Sequence, residues 1–157
     1  MVSHTPDMRH FEVDTLIHAD PERVWRVLVH HPSWPDWDSN IERVEGRLAE
    51  GGSVTLYTRA SPRPFHLKVT RFDEPSRMVL TGGLPFGLFT GTRIYELAAE
   101  QGGTRFLMQE DLTGLLAPLI ARRIPDLQPS FESFAEGLRR TAESAPRTTE
   151  EENGRGR

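Results

Sequence analysis

The stretch from residue 41 to 113 leaves this chain few possible folds, because it alternates apolar and polar residues and keeps no helical period over ten residues. Turn signals such as Gly51-Gly52 and DEPS, at 73–76, divide it at intervals of about 8 to 12 residues. Six strands fit between these turns: IERVEGRL, SVTLYTRA, PFHLKVTRF, RMVLTGG and the two halves of GTRIYELAAEQGGTRFLMQEDLTG. We therefore predict an antiparallel meander.

One more strand and a short helix precede the meander. FEVDTLIHA, at 11–19, alternates as a half-buried strand does. In the following DPERVWRVLVHH, Asp20 suits a helix N-cap and Pro21 the first helical position. The helix must end before Pro32, and the Pro- and Asp-rich connection after it has room for one more helical turn.

The last apolar pattern has a helical period. In PDLQPSFESFAEGLRRTAES, one face carries Leu127, Phe131, Phe134 and Leu138, and the sheet is the only partner large enough to cover it. We predict an α+β fold, in which a curved seven-stranded antiparallel sheet wraps a C-terminal helix at about 126–144, with one or two short helices after the first strand. A cavity can remain between helix and sheet.

Length and composition limit the domain count and the partners. At 157 residues, one domain over 1–145 is expected, and the polar tail at 146–157 is expected to be disordered. The formal charge is −4 and the Lys and Arg residues are scattered, which disfavours nucleic acid. Cysteine is absent, and no apolar run approaches the roughly 18 residues that span a bilayer. We expect a cytoplasmic protein without a membrane partner.

Two charged residues interrupt the apolar face of the last hairpin. A two-residue turn at Gln101-Gly102 places Arg93 opposite Glu110 and pairs the apolar residues Tyr95 with Met108 and Leu97 with Phe106. Only an odd slip in register would turn both charges outward, and it would expose the apolar residues too. Both charges should therefore face the C-terminal helix.

Three interpretations of this pair remain open. Arg93 and Glu110 can form a structural ion pair at the cavity mouth, worth about 1 kcal/mol or less if solvated. Alternatively, Arg93 holds a carbonyl or enolate oxygen while Glu110 acts as general base in an aldol-type ring closure. In the third interpretation they orient a ligand without chemistry.

Other candidate residues are divided between the inner and the outer surface. Tyr57, Arg59 and His66 are predicted to face solvent, Trp25 and Trp37 are predicted in the core, and Trp34 fits the surface or the pocket rim. GGLPFGLFTG, at 82–91, is either a mobile apolar lid or an ordinary loop. DWDSN lacks the glycine of a calcium loop, and the six histidines lack zinc-site spacing. Neither a metal nor a cofactor is expected.

Beyond these patterns, the chain resembles the START-like superfamily called SRPBCC, which includes polyketide cyclases and aromatases. The resemblance spans roughly residues 8 to 144 and rests on IHADPERVW, PSWPDWDSNIERVEG, GGTRF, EDLTGLLAPL and FESFAEGLRRTAE. Within a branch described as polyketide cyclase or dehydrase-like, this chain differs in having Leu112 where Phe is usual and Arg93 where His is frequent. The resemblance implies the helix-grip fold and a hydrophobic pocket.

From this resemblance we expect a small hydrophobic, polyketide-like or lipid-like molecule as partner. Candidate catalytic residues are Arg93 and Glu110, and candidate ligand-binding residues are Tyr95, Met108, Phe106, Leu112, Leu67, Val69, Phe86, Phe89, Phe131, Phe134 and Leu138. Three functions compete: a cyclase, aromatase or dehydratase of secondary metabolism; a carrier, sequestering or self-resistance protein for a natural product such as an aromatic or enediyne compound; and a protein resembling regulators that bind a chaperone ATPase.

Overall fold

An antiparallel sheet dominates the fold. The structure, a computed structural model, describes residues 9–124 and 126–144, and these residues form seven strands. Their bounds are β1 Arg9–Ile17, β2 Ile41–Gly46, β3 Ser53–Thr58, β4 Phe65–Asp73, β5 Arg77–Leu84, β6 Phe89–Glu100 and β7 Gly103–Thr113. The strands lie in the order β1-β7-β6-β5-β4-β3-β2, so β1 and β2 form the edges of the sheet. The predicted meander is confirmed, while the predicted disordered tail at 146–157 lies outside the described residues.

In the described part of the chain, four helices accompany the sheet. They are α1 Pro21–Val29, α2 Trp34–Trp37, α3 Ala117–Ala121 and α4 Gln128–Ser144, and a 3₁₀ turn at His31–Ser33 precedes α2. The predicted start of α1 is confirmed, because the Asp20 carboxylate accepts a hydrogen bond from the Arg23 backbone N–H. The helix α4 begins two residues later than the predicted 126. No helix in the described part of the chain has both the length and the apolar character that crossing a membrane requires.

The core lies between α4 and the concave face of the sheet. The part of the core between α2, α4 and the strands β6 and β7 is packed with aromatic rings. Trp34 contacts Tyr95 and Phe134, and Phe134 also contacts Trp37 and Phe106. Trp34, which the sequence left open, is fully buried and donates its indole N–H to the Leu28 carbonyl. The rings therefore occupy much of the space in which a cavity was expected.

The loop within the segment 82–91 is shorter than the sequence indicated. Gly82 pairs with Gly91, Gly83 with Thr90 and Leu84 with Phe89, so that only residues 85–88 form the turn. The glycines are needed for close backbone packing: Gly83 has φ 135°, and a Cβ there would lie 2.3 Å from the Phe89 carbonyl oxygen. A ten-residue lid is thus replaced by two paired strand ends and a tight turn.

The sheet separates locally where β4 begins. Its residues 65–67 pair only with β3, and pairing with β5 starts at Lys68, opposite Thr81. Beyond that point the end of β5 follows β6 instead. This separation, which we call the β4–β5 cleft, has a volume of about 540 Å³.

The contact between α4 and α2 gives a test of the packing. A Cβ at Gly137 would lie 2.2 Å from the Trp37 carbonyl oxygen and 2.7 Å from its ring. Although alanine has the higher helix propensity by about 1 kcal/mol, we expect Gly137→Ala to lower the free energy of unfolding by about 2 kcal/mol because the helix must move outward. Urea denaturation measures this.

The matched control is Gly91→Ala, whose Cβ would meet no atom closer than 3.4 Å. It should leave the free energy of unfolding unchanged or raise it slightly, since alanine loses less backbone entropy on folding than glycine. Equal stabilities of the two variants would contradict this account of the α2–α4 contact.

Candidate functional site

Arg93 and Glu110 face each other on the concave surface, as predicted. Arg93 on β6 is the register partner of Glu110 on β7. The Arg93 Nε–H donates to Glu110 Oε1 at 2.6 Å. Tyr95 and Met108, the next pair on the same face, are buried, which confirms that both charges lie on the inner side.

The ion pair lies against α4, in contact with an aromatic ring. The guanidinium carbon of Arg93 lies 5.0 Å from the centre of the Phe131 ring, within the range of a cation–π contact. The side chains of Arg93 and Glu110 keep 16% and 12% of their exposure. A pair that is mostly withdrawn from water but not sealed remains reachable by a small molecule.

A buried hydroxyl lies next to this pair. Tyr95 Oη is buried and makes no hydrogen bond to any of the described residues. Burial raises the pKa of Tyr95, which the nearby Arg93 charge only partly offsets, so the phenol stays protonated. Burial alone would lower the pKa of Arg93, but the negative charge of Glu110 raises it above its ordinary value, so the guanidinium stays charged. A cation and an unused O–H donor thus lie side by side.

Glycine at position 91 leaves room beside Glu110. A Cβ at Gly91 would lie 3.4 Å from Leu112 Cδ2 and 3.5 Å from Glu110 Oε2. Within the described residues no group donates a hydrogen bond to Oε2, whereas Oε1 is held by Arg93. A side chain larger than alanine at position 91 would cover this free carboxylate oxygen.

Asp38, in the DWDSN segment that lacks the glycine of a calcium loop, is a buried acid that the sequence did not single out. Its Oδ1 accepts hydrogen bonds from the Asn40 backbone N–H at 3.1 Å and from Ser133 Oγ at 2.9 Å. Burial raises the pKa of Asp38, and these two bonds only partly lower it again. Its negative charge also raises the pKa of Tyr95. The only sequence signal was a carboxylate between Trp37 and the start of β2.

The predicted ligand-binding residues fall into three groups. Eight are buried in the core: Val69, Tyr95, Phe106, Met108, Leu112, Phe131, Phe134 and Leu138. Leu67 and Phe89 are half-buried and line the β4–β5 cleft. Phe86 is 93% exposed at the tip of the 85–88 turn, so it does not join the other candidates. The sequence could not show this, because the turn was taken as part of a longer loop.

The cleft combines apolar and polar side chains. It is lined by Val54, Leu67, Leu84, Pro85 and Phe89 on the apolar side, and by the polar residues Ser53, Thr55, His66, Lys68, Thr81 and Thr90. A second depression, of about 370 Å³, lies among charged residues near Arg77 and Arg105 at the other end of the sheet. Neither is lined by α4. Among residues 9–124 and 126–144, no group of His, Asp and Glu side chains is placed to hold a metal ion.

Comparison with known proteins identifies the family of this chain. The family model described as "Polyketide cyclase / dehydrase and lipid transport" matches residues 8–143. The chain belongs to this family. A search of curated proteins found no match.

Solved structures of similar fold include enzymes. The di-domain aromatase/cyclase BexL from the BE-7585A biosynthetic pathway is 17% identical with a TM-score of 0.69 over 90% of this chain, which spans about half (52%) of that protein. The ZhuI aromatase/cyclase from Streptomyces sp. R1128 is 15% identical with a TM-score of 0.68, covering 90% of this chain and 97% of its own. Norcoclaurine synthase from Thalictrum flavum is 10% identical with a TM-score of 0.69, covering 90% of both chains. At these identities the likeness shows the fold, a helix-grip half-barrel.

A double-mutant cycle tests whether the ion pair is structurally coupled. Arg93→Met and Glu110→Gln should each lower the free energy of unfolding by about 3 kcal/mol, because each leaves a mostly buried partner unpaired. The double variant should lose at least about 1 kcal/mol less than the sum of the single losses. Chemical denaturation of all four proteins gives the coupling.

The control cycle uses the exposed pair of Arg105 and Glu100, which lie 2.8 Å apart. Arg105→Met and Glu100→Gln should show a smaller coupling, because water screens exposed charges. Additive effects at Arg93 and Glu110 would mean that the pair is not coupled.

The raised pKa of Asp38 predicts a pH dependence of stability. The folded state binds the Asp38 proton more tightly than the unfolded state, so the stability that it contributes is present below the ordinary pKa and is lost as pH rises through the folded pKa. Asp38→Asn keeps an acceptor oxygen without the charge. Relative to wild type, this variant should gain stability as the pH rises above about 4, the ordinary pKa of an Asp carboxyl, as measured by urea denaturation. A difference that is independent of pH would contradict this.

Proposed function

We propose that this protein binds a small hydrophobic, polyketide-like molecule on the concave face of the sheet, at the end where Arg93 and Glu110 lie. The family supports this class of ligand, since its description names polyketide cyclases, dehydrases and lipid transport. The observation that carries the proposal is the group of polar atoms inside an apolar face, namely the Arg93 guanidinium, the free Glu110 Oε2 and the unpartnered Tyr95 hydroxyl. Such atoms fit a ligand with carbonyl and hydroxyl groups on an apolar skeleton.

We propose that a ligand reaches these atoms past the β4–β5 cleft. Gly82 lines the cleft and is the register partner of Gly91, and the next pair on the same face is Leu80 with Arg93. Two residues on the same face of a strand, such as positions 91 and 93, are separated by about 7 Å. One or two fused rings of a ligand have about this length. The half-buried Leu67 and Phe89 supply apolar contacts along this path. A ligand entering at the cleft would thus bring its polar end to Gly91 and Glu110.

The polar atoms also suit a ring closure in a poly-β-ketone chain. In this reaction Glu110 would remove a proton from the carbon between two carbonyls, and the resulting carbanion would attack a carbonyl carbon of the same chain. Arg93 and the Tyr95 hydroxyl would stabilise the oxygen on which negative charge develops, since both are donors in a largely dry site. The alkoxide would take up the proton held on Glu110. This step needs no metal or cofactor.

A non-catalytic role is favoured by one distance. Glu110 Oε1 already accepts a charge-assisted hydrogen bond from Arg93 at 2.6 Å, which leaves a single oxygen to act on a substrate. A carrier or sequestering protein would use the same atoms to orient its ligand and would release it unchanged. The third class, a protein resembling chaperone-ATPase regulators, would act through its surface and would not need these atoms.

Blocking the space over Glu110 tests the binding proposal. Gly91→Phe places a ring beside the free carboxylate oxygen, so we expect the affinity for a hydroxylated anthraquinone, followed by fluorescence titration, to fall at least about tenfold, or about 1.4 kcal/mol. Gly91→Ala is the control and should bind within about twofold of wild type, because its Cβ has room. Equal affinities for wild type and Gly91→Phe, or no saturable binding by the wild type, would overturn the proposal.

The variants of the ion pair separate the enzyme from the carrier. With a poly-β-ketone thioester as substrate, Glu110→Gln should abolish ring closure while retaining binding if Glu110 is the general base. If the wild type binds this substrate and returns it unchanged, catalysis is excluded and the carrier role remains. Thermal unfolding is recorded alongside, so that loss of folding is not mistaken for loss of chemistry.

A further inference from the structure

The end of the sheet where the cleft opens carries an unusual apolar surface. In an antiparallel sheet of this order, the β3–β4 loop at 59–64, the β5–β6 turn at 85–88 and the segment after β7 at 114–124 all leave from the same end. The backbone joins the last two, because the N–H groups of Leu115 and Leu116 donate to the carbonyls of Gly87 and Leu88. We call this end of the sheet, with its three segments, the loop end.

Large apolar side chains project from the loop end into water. Phe86 is 93% exposed, Leu115 79% and Leu119 61%, and Leu84 and Leu116 are also exposed. All large exposed apolar side chains among the described residues, including Phe65 at the start of β4, lie at this end. Exposed apolar side chains concentrated at one end of a domain point to a binding surface, since scattered single residues would need no explanation.

The backbone holds Phe86 outward. Its φ is 61°, and it is the only residue other than glycine with a positive φ in the described part of the chain. Bulky side chains rarely adopt this conformation, and strained residues cluster where a function requires them. The turn Pro85-Phe86-Gly87 could relieve the strain with Gly or Asn at its centre, yet it carries the largest apolar side chain of the patch.

The charge of the loop end indicates which kind of partner would bind there. The three segments contain no Asp or Glu and carry four exposed arginines, Arg59, Arg63, Arg122 and Arg123, although the chain as a whole has a formal charge of −4. Exposed apolar side chains surrounded by arginines match the surface of an anionic bilayer, where the apolar groups enter the headgroup region and the cations meet lipid phosphates. Lys68, at the cleft, adds a further exposed cation.

We propose that the loop end docks reversibly onto anionic lipid membranes, with Phe86 and Leu115 inserting among the headgroups and Arg122 and Arg123 contacting phosphates. This revises our expectation from the sequence that the protein has no membrane partner, which rested on the lack of a spanning segment. The docked surface includes Leu84 and Pro85, which also line the cleft, so the mouth of the cleft would face the bilayer. The proposal does not depend on the identity of the ligand or on catalysis.

Vesicle sedimentation with the full chain tests the docking. We expect binding to phosphatidylcholine vesicles containing phosphatidylglycerol, little binding to phosphatidylcholine alone, and a decrease in binding as salt is raised. Phe86→Asn combined with Leu115→Ser should lower the partition coefficient at least about tenfold. Asn tolerates the positive φ of position 86, so this variant should fold as the wild type does, which thermal unfolding checks.

Two charge variants provide a matched comparison. Arg122→Gln with Arg123→Gln removes two cations at the loop end and should weaken partitioning about tenfold or more. Arg139→Gln with Arg140→Gln makes the same change in net charge near the C-terminal end of α4. This end lies away from the loop end, because Glu143 accepts a hydrogen bond from the His18 backbone N–H at the opposite end of β1. The variant should therefore bind within about threefold of wild type.

Three results would overturn the proposal. These are no binding to anionic vesicles at low salt, equal loss in the two arginine pairs, and full binding by Phe86→Asn with Leu115→Ser. The first would leave an acidic protein partner as the occupant of the loop end. Gly91→Phe should bind vesicles as the wild type does, and Phe86→Asn should keep the anthraquinone affinity, so failure of the membrane proposal can be told apart from failure of the proposed function.

Discussion

The pairing of β6 with β7 is the interaction on which the rest of the structure depends. It is the longest ladder in the sheet, with register from Thr90 opposite Thr113 to the turn that follows Glu100. Because side chains alternate, this single register decides that Tyr95, Phe106 and Met108 enter the core and that Arg93 and Glu110 enter with them. Shifting it by one residue would bury polar side chains such as Gln109 and Thr92 and expose the aromatic cluster. Burial of this large apolar area thus keeps two charges in a mostly buried position that would be unfavourable for them alone.

Local patterns were sufficient to predict this part of the fold. The alternation of β6 and β7, the Gln101-Gly102 turn and the Asp20 cap are each encoded by neighbours in the chain, and each is confirmed. The separation of β4 from β5, the burial of Asp38 beneath Ser133 and the burial of Trp34 depend on residues distant in sequence. A single sequence carries no periodic signal for such contacts. The segment 82–91 was harder still, because its four glycines suggest a loop where they serve close strand packing.

The two ends of the barrel differ in how completely they are packed. Near α1 and α2, the rings of Trp34, Phe134 and Tyr95 pack against one another and leave little room. Toward the β4–β5 cleft, glycines and half-buried side chains replace the rings, and the strands separate. Stability and binding are therefore served by different ends of the same core. This division explains why most of the predicted pocket residues turned out to be core.

The ion pair sits at the boundary between these two ends, and its position explains why apolar residues have not replaced it. An apolar pair of similar volume at positions 93 and 110 would be as stable or more stable, since desolvating two charges costs about as much as their attraction returns. Keeping the pair leaves Glu110 Oε2 without a hydrogen-bond donor in the described structure, and an apolar pair would avoid this cost too. A fold optimised for stability alone would therefore favour the apolar pair. A charged pair beside Gly91, where a Cβ would lie 3.5 Å from Glu110 Oε2, is instead what we would expect of the proposed binding site, because the free oxygen can accept a hydrogen bond from a ligand.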